Sequence, residues 1–218
     1  MSIFDYTAEN RMRRSAPLAE RMRPRTLEEF FGQGAVVGEG KLLRRSIMAD
    51  RLSSLILYGP PGTGKTTLAQ IIANSTKAQF TELNAVSSGV ADIRRVVQEA
   101  KDRLAQDERR TVVFIDEIHR FNKGQQDALL PAVEKGLIVL IGATTENPFF
   151  SVNAPLLSRS RLFKLETLGR DELRQIARRA LRNADQGLGH MPLDVDDEAL
   201  THMITQSARS EEHTSELQ

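Results

Sequence analysis

The sequence has no cysteine and no tryptophan among its 218 residues, and aromatic side chains make up only 5% of it. A chain without cysteine forms neither disulfides nor thiolate metal sites, which is compatible with a reducing compartment. It also lacks any run close to the roughly 20 apolar residues that span a membrane. The first 14 residues are polar and rich in arginine, unlike a secretory signal. We therefore expect a cytoplasmic protein with no membrane partner.

A large excess of charge of one sign is also missing, because 30 basic residues balance 29 acidic residues for a net charge of +1. This balance argues against a protein that coats nucleic acid through bulk positive charge. Between positions 11 and 25, however, six arginines accompany a single acid, Glu20. Two interpretations stay open for them, a disordered solubilising tail or contacts to phosphates of nucleotide or DNA. These arginines are Arg11, Arg13, Arg14, Arg21, Arg23 and Arg25.

Histidine is rare as well, and the four residues show no spacing typical of a metal site. His119 follows a pair of carboxylates but has no second histidine at ligand spacing, and His190 and His202 are isolated. His213 lies in a C-terminal segment that is interpreted separately below. We predict that all four histidines are structural or solvated.

A glycine-rich stretch at residues 59–66 reads GPPGTGKT and fits the phosphate-loop pattern G-x-x-x-x-G-K-[ST]. Its glycines let the backbone turn tightly and direct N–H groups at phosphate oxygens, and the next helix adds its positive end. Lys65 can reach the β- and γ-phosphates, and the Thr66 hydroxyl can bind Mg²⁺. The alternative is a chance glycine-rich turn. The predicted nucleotide-binding residues here are Gly59, Pro60, Pro61, Gly62, Thr63, Gly64, Lys65, Thr66 and Thr67.

Residues 112–117 read VVFIDE, an apolar run that ends in two carboxylates. This pattern is typical of a buried parallel strand whose carboxyl end reaches the rim of a sheet. There Asp116 would hold the metal ion with Thr66, and Glu117 would polarise the attacking water. A solvated pair of carboxylates at a strand end is the alternative. Taken with the phosphate loop, the pattern predicts a site for ATP and Mg²⁺.

Strand-like and helical segments alternate along the first three quarters of the chain. Strands are predicted at 54–58, 79–84, 111–116, 137–142 and 162–166. Helices are predicted at 26–31 from a capping box, then at 42–51, 67–76, 92–107 and 123–135, with a glycine-rich loop between the first two. This alternation predicts an α/β fold with a five-stranded parallel sheet flanked by helices, which binds ligands at the carboxyl ends of its strands.

The chain is predicted to divide into four parts. Residues 1–16 form a disordered tail, 17–168 the nucleotide-binding α/β domain, and 169–208 the start of an incomplete helical lid with helices at 170–183 and 196–207. The last ten residues, 209–218, read RSEEHTSELQ and resemble a translated sequencing adapter. We expect that the natural protein continues beyond Ala208.

Together these features resemble the AAA+ P-loop NTPases. The finer resemblance is to the family of replication-associated recombination protein A, bacterial relatives of the Werner-helicase-interacting ATPase, and it covers about residues 17–208. Three strings carry it: PLAERMRPRTLEEFFGQ at 17–33, FIDEIHRFNKGQQDALLPAVE at 114–134 and IGATTENPFFSVNAPLLSR at 141–159. The middle string separates the chain from generic clamp loaders and from Holliday-junction motors.

The resemblance implies roles for residues that the motifs leave out. Residues around Arg21, together with Gln33, would pack along the adenine and ribose, although a simple interface strap is equally open. Asn84 would hydrogen-bond Glu117 and hold it inactive until DNA binds, unless it is only a strand-end turn residue. Thr145, at the end of the fourth strand, would sense the γ-phosphate, a position where some members carry asparagine.

Arg159 matches the arginine finger that reaches into the site of a neighbouring subunit and stabilises the transition state. The alternative is a surface arginine in an ion pair, and Arg161 competes for the role. A finger acting in trans implies a ring-like homo-oligomer. The family's second sensor arginine and assembly domain are expected beyond Ala208.

DNA is the expected macromolecular partner. The helix that opens at 87–95 could follow a phosphate backbone with Arg94 and Arg95, although a solvated basic face is an open alternative. The resemblance implies an ATPase associated with the nucleoid, acting on single-stranded, gapped or forked DNA without sequence specificity at stalled replication forks. Single-strand-binding protein is a candidate partner. A clamp-loader-like subunit and a non-enzymatic, ATP-sensing scaffold are the alternatives.

Overall fold

A computed structural model of the chain describes residues 16–215, with side chains described as far as residue 206. The tail predicted as disordered therefore lies almost entirely outside the described residues, as do the last three residues. The chain divides into two compact units. One is Arg25–Thr167, and the other joins the segment that ends at Pro24 to the segment that begins at Leu168. The first unit contains the sheet.

Five parallel strands form the sheet, in the order β2-β3-β4-β1-β5. This arrangement confirms the predicted α/β fold with a five-stranded parallel sheet. The ends of β1 and β4 are in register at Tyr58 and Thr144, and those of β2 and β3 at Asn84 and Asp116, so the carboxyl ends share one edge. The strands are β1 Leu55–Tyr58, β2 Gln79–Asn84, β3 Thr111–Asp116, β4 Ile138–Thr144 and β5 Arg161–Lys164.

Helices cover both faces of the sheet and make up the second unit. The first unit contains α2 Gly34–Val37, α3 Leu42–Met48, α4 Lys65–Ser75, α5 Val90–Asp107, a 3₁₀ turn Ile118–Arg120, α6 Lys123–Glu134, α7 Pro148–Ser151 and α8 Ala154–Ser158. The second contains α1 Leu18–Arg21, α9 Arg170–Arg182 and α10 Asp197–Ser215. None of these described helices is both long enough and apolar enough to cross a membrane.

The hydrophobic core has two layers because successive side chains of a strand point to opposite faces. Leu55 and Leu57 of β1 belong to one buried cluster with Leu68 of α4, whereas Ile56 belongs to the other cluster with Ile93 of α5. All five residues are almost completely inaccessible to solvent. The apolar runs that predicted buried strands thus contribute to both layers, which holds the strand ends in fixed positions.

The prediction of a helix at 26–31 is wrong. The carboxylate of Glu29 accepts a hydrogen bond from the backbone N–H of Arg25 at 2.8 Å, but the segment forms only a turn. The chain then passes through Gly32 and Gln33 with φ angles of 75° and 57°, which end any right-handed helix. The glycine-rich loop predicted next is also interrupted, since α2 occupies Gly34–Val37.

The last helix is longer than predicted, because α10 runs from Asp197 to Ser215 and not to residue 207. The sequence between these ends has no glycine or proline, the residues that most strongly disfavour a helix. Within the second unit, Leu200 and Ile204 of α10 are buried, and Asp197 pairs with Arg178 of α9 at 2.7 Å. The adapter origin of residues 209–218 stays a prediction.

Candidate nucleotide-binding site

The phosphate loop connects β1 to α4, and the geometry of its backbone explains why glycine occupies two of its positions. Gly59 has a φ of +147°, and a Cβ there would lie 2.1 Å from the carbonyl oxygen of Leu165. Gly64 has a φ of +91°, and a Cβ there would lie 2.8 Å from the ring of Phe30. Both positions favour glycine because larger residues are strained at positive φ, and at Gly59 a side chain would also collide with backbone. The loop can therefore approach a ligand through its backbone.

Lys65 begins α4, and its side chain folds back over the loop. Its Nζ donates hydrogen bonds to the carbonyl oxygens of Gly59 at 2.8 Å and Pro60 at 2.7 Å. Burial lowers the pKa of Lys65 below its usual value, and the negative charges of Glu117 and Asp116 oppose this shift. The residue thus places a positive charge inside the loop, at the position from which it could bind the β- and γ-phosphates.

Thr66 and Asp116 meet across the gap between α4 and β3. The Thr66 hydroxyl donates to Oδ2 of Asp116 at 2.8 Å. These two oxygens are the hard ligands that Mg²⁺ prefers, and phosphate oxygens and waters complete such a shell in nucleotide sites. Among the described residues, no cluster of three or more His, Cys, Asp or Glu side chains could hold a metal ion by itself. The donor set therefore fits a Mg²⁺ shared with a nucleotide.

Glu117 lies just beyond the end of β3 in a left-handed conformation, with a φ of 53° and a ψ of 50°. Its backbone N–H donates to Oδ1 of Asp116 at 3.1 Å. The next residue, Ile118, is fully buried against β4. Its side chain fits there because Gly142 has no Cβ, which would lie 3.0 Å from the Ile118 Cδ1. The sharp turn and the buried anchor together aim the Glu117 carboxylate along the strand-end edge.

Thr145 also lies at this edge, although not as the last residue of its strand. β4 extends to Thr144, two residues beyond the predicted end at 142, and Thr145 follows it. The Thr145 hydroxyl donates to Oε2 of Glu117 at 3.4 Å. The structure thus brings together the two residues predicted to activate water and to sense the γ-phosphate.

His119 is the residue of this site that the sequence interpretation missed. Its Nδ1 lies 3.1 Å from Oε2 of Glu117 and 2.9 Å from Oγ1 of Thr144. Its Nε2 lies 3.7 Å from Oε1 of Glu146. Classifying it as structural or solvated overlooked these contacts, since no metal-ligand spacing was present. Its position two residues after the strand-end glutamate was the available signal.

The side chain of Asn84 turns away from Glu117. Its Oδ1 accepts hydrogen bonds from the backbone N–H groups of Val86 at 2.9 Å and Ser87 at 3.1 Å. In the described part of the chain, Asn84 and Glu117 share no hydrogen bond. This geometry corresponds to the turn interpretation of Asn84, and its role as a switch stays a prediction.

Gln33 connects the phosphate loop to the end of the sheet. Its Nε2 donates to the carbonyl oxygens of Thr63 at 3.3 Å and Glu166 at 2.6 Å, and its Oε1 accepts from the Glu166 N–H at 3.0 Å. Both donor hydrogens of its amide and one acceptor site of its oxygen are used by backbone groups, as in the strap interpretation. Arg21 belongs to the other compact unit. Adenine contacts of both residues stay predictions.

Arg159 follows α8, and its guanidinium is held by its own chain. It pairs with Oε1 of Glu134 at 2.5 Å and donates to the Pro155 carbonyl and the Ser158 hydroxyl, each at 3.0 Å. The side chain nevertheless stays 41% exposed. The ion pair corresponds to the alternative interpretation of Arg159 as a surface arginine, and its role as a finger stays a prediction. Glu134, at the end of α6, is a partner that the sequence interpretation did not name.

The segment predicted to contact DNA is partly neutralised by its own residues. The carboxylate of Asp92 accepts from the Gly89 N–H at 3.0 Å and pairs with Arg95 at 3.1 Å. The Ser88 carbonyl accepts from Gln125 of α6 at 2.7 Å. Arg94 is exposed at the same helix start. The contact to DNA stays a prediction.

Comparison with known proteins agrees with this site. A family model described as the ATPase family associated with various cellular activities (AAA) matches residues 55–170, more than half of the chain. The loop, the strand-end carboxylates and the match together place the chain in a class of nucleotide-binding ATPases, and it belongs to the AAA family.

Curated relatives make the assignment narrower. The chain is 48% identical to replication-associated recombination protein A of Haemophilus influenzae over 92% of its own length and 44% of that protein's length. It is 47% identical to the ATPase WRNIP1 of Dictyostelium discoideum, covering 82% of this chain and 20% of that one. These matches confirm the resemblance predicted from the three strings. The chain spans less than half the length of either relative.

The fold is shared with a protein of lower sequence identity. The structure of Thermotoga maritima RuvB, titled a Holliday junction branch migration motor, matches with a TM-score of 0.66 at 31% identity. The match covers 84% of this chain and 59% of that one. It agrees with the AAA+ arrangement of a parallel sheet followed by helices.

Proposed function

We propose that this chain is the ATP-hydrolysing part of a DNA-dependent AAA+ ATPase that acts at stalled or damaged replication forks. One observation carries the proposal: Lys65, Thr66, Asp116 and Glu117 converge at one edge of the sheet. The hydrogen bond of 2.8 Å between Thr66 and Asp116 joins the two motifs. Relatives named for replication-associated recombination support the cellular context.

The hydrolytic step follows from the positions of these groups. The phosphate loop and Lys65 bind the phosphate chain, while Thr66 and Asp116 hold Mg²⁺. When bound, Mg²⁺ neutralises phosphate charge as it redistributes in the transition state. Glu117 orients the attacking water and accepts its proton. Thr145, which contacts Glu117, reports whether the γ-phosphate is present.

Assembly into a homo-oligomer completes the site. Arg159 would leave Glu134 and reach the γ-phosphate bound by a neighbouring copy. The helix α7, which precedes α8, exposes Phe149 by 67% and Phe150 by 89%. Neighbouring large apolar side chains of this kind often mark interaction surfaces. This exposure, on the helix next to α8 in sequence, supports a subunit contact in this part of the chain.

The proposal also includes the coupling of ATP hydrolysis to the remodelling of DNA ends. Arg94 and neighbouring backbone groups of the α5 start would contact phosphates without reading bases. The candidate substrates are single-stranded, gapped and forked DNA, with single-strand-binding protein as a candidate partner. Nucleoid association follows from such binding. Arg21 and Gln33 remain the proposed residues at the adenine and ribose.

Steady-state ATP hydrolysis tests the proposal directly. We would measure it for this chain and for a version extended to the length of its curated relatives, with and without each type of DNA. We expect DNA to raise turnover of the extended version and chelation of Mg²⁺ to abolish it. ATP binding without turnover under every condition would contradict the proposal and favour the scaffold alternative. Turnover that needs a ring-shaped protein partner, and not DNA, would favour the clamp-loader alternative.

A further inference from the structure

His119 is held between the proposed water-activating residue and the end of β4. Its side chain is only 13% exposed, and it lies in the 3₁₀ turn that follows Glu117. The ring nitrogen Nδ1 is within hydrogen-bonding distance of two oxygens, Oε2 of Glu117 at 3.1 Å and Oγ1 of Thr144 at 2.9 Å. An imidazole that is mostly shielded from solvent and has two oriented contacts has a defined position and does not behave as a solvated side chain.

The chemistry of these partners bears on which nitrogen carries a proton, and on the other side of the ring Nε2 lies 3.7 Å from Oε1 of Glu146, beyond hydrogen-bonding distance. A carboxylate only accepts hydrogen bonds, so the approach of Nδ1 to Glu117 is favourable when Nδ1 is protonated. The Thr144 hydroxyl oxygen accepts a hydrogen bond from the backbone N–H of Glu146 at 3.0 Å and has a second lone pair for Nδ1–H. The Glu117 carboxylate therefore favours a proton on Nδ1, whereas the Thr144 hydroxyl can accept this proton or donate its own and fits either tautomer.

Two donors meet the same carboxylate oxygen. His119 and the Thr145 hydroxyl both contact Oε2 of Glu117, at 3.1 Å and 3.4 Å. In the described part of the chain, no donor is bonded to Oε1. This asymmetry anchors Oε2 and leaves Oε1 available to a water.

We propose that His119 is a positioning residue that holds the Glu117 carboxylate in the orientation needed to activate water. The inference rests on the proposed ATPase function. Through Thr144, the imidazole also ties this orientation to β4, the strand that leads into the γ-phosphate sensor Thr145. Orientation matters because a displacement of about 1 Å in a reacting group can lower a rate by about 100-fold.

Two substitutions at position 119 separate positioning from general structure. His119→Ala removes the donor, and we expect kcat to fall by about 10- to 100-fold while KM for ATP changes little. In His119→Asn the amide nitrogen can replace Nδ1–H, so kcat should largely recover. His190→Ala, at an exposed position in the other unit, is the matched control. In a Glu117→Gln background, which has already lost the carboxylate, His119→Ala should cause no further loss of kcat.

Unchanged kcat in His119→Ala, or an equal loss in the alanine and asparagine variants, would overturn the inference. Failure of the proposed function is distinguishable, since the unsubstituted protein would then show no turnover. A second measurement does not depend on activity. Imidazole ¹⁵N NMR, assigned by loss of the signal in His119→Asn, should show a proton on Nδ1, and a ring protonated only on Nε2 would contradict the proposal.

Discussion

Lys65 and Arg159 are the two cations that the proposed mechanism assigns to the phosphates of ATP, and their surroundings differ. Lys65 is 7% exposed, and its ammonium group is bonded to two backbone carbonyls of its own loop. Arg159 is 41% exposed and pairs with Glu134, a carboxylate on a neighbouring helix. The cation of the phosphate loop is therefore held within one chain by its own loop, whereas the finger side presents a cation at the surface.

The two cations also differ in how much free energy it costs to move them. An exposed ion pair contributes only about 0.2–1 kcal/mol, so Arg159 can exchange Glu134 for a phosphate at small cost. The ammonium group of Lys65 has lost hydration on burial, and this loss lowers its pKa. The two regions should therefore respond differently to substitution, and five experiments test this difference.

The largest effect is expected for Arg159→Ala. Removing a trans-acting finger should lower turnover by about 10³- to 10⁵-fold, because positive charge is lost where the transition state needs it. ATP binding should persist. Arg161→Ala, at the start of β5, is the matched control and should remain active. Turnover and binding of a fluorescent ATP analogue check both expectations.

Mixing then tests whether Arg159 acts between subunits. An Arg159→Ala protein has an intact phosphate loop, and a Lys65→Ala protein has an intact finger. Mixed oligomers should regain activity at intermediate ratios. The absence of recovery at every ratio, with assembly shown by light scattering, would assign both regions to a single chain and remove the contrast.

Glu117→Gln should have the next largest effect, lowering turnover by about 10²- to 10⁴-fold, since the amide cannot accept the proton from water. ATP should still bind, because the phosphate loop and Lys65 are unchanged. Glu82→Gln, an exposed carboxylate on β2, is the control. Turnover equal to that of the unsubstituted protein would remove Glu117 from the mechanism.

Gly142→Ala tests the packing beneath the phosphate side. The added Cβ would lie 3.0 Å from the side chain of Ile118, so we expect a loss of about 1–3 kcal/mol in the free energy of unfolding. Gly124→Ala is the control, since its Cβ would lie 3.4 Å from Asn122 and alanine favours the helix α6. Urea denaturation compares the two, and equal stability would show that Ile118 moves freely.

Glu134→Gln should have the smallest effect. Weakening an exposed ion pair releases Arg159, and we expect turnover at limiting protein concentration to rise by no more than about five-fold. Glu99→Gln, an exposed residue of α5, is the control. A large decrease in turnover would instead show that Glu134 positions the finger, and the finger side would then resemble the phosphate side.

Local patterns were sufficient for the phosphate side and the sheet. The loop motif predicts Lys65 and Thr66, and the apolar run before Asp116 predicts its strand end, because each depends on residues close in sequence. The partners His119 and Glu134 were not predicted, since their contacts depend on how β3, β4 and α6 pack. The helix at 26–31 failed because a capping pattern marks where a helix can start, and here the segment closes only a turn.

The left-handed conformation of Glu117 has a practical consequence for protein engineering. A side chain other than glycine in this conformation costs about 1–2 kcal/mol, more than the roughly 0.5–1 kcal/mol of extra chain entropy that glycine loses on folding, so glycine at this position should make the protein slightly more resistant to heat. A library screened only for thermal resistance would therefore enrich variants that bind ATP without hydrolysing it. Position 117 should be kept constant in such a library, or each round should include a selection for turnover.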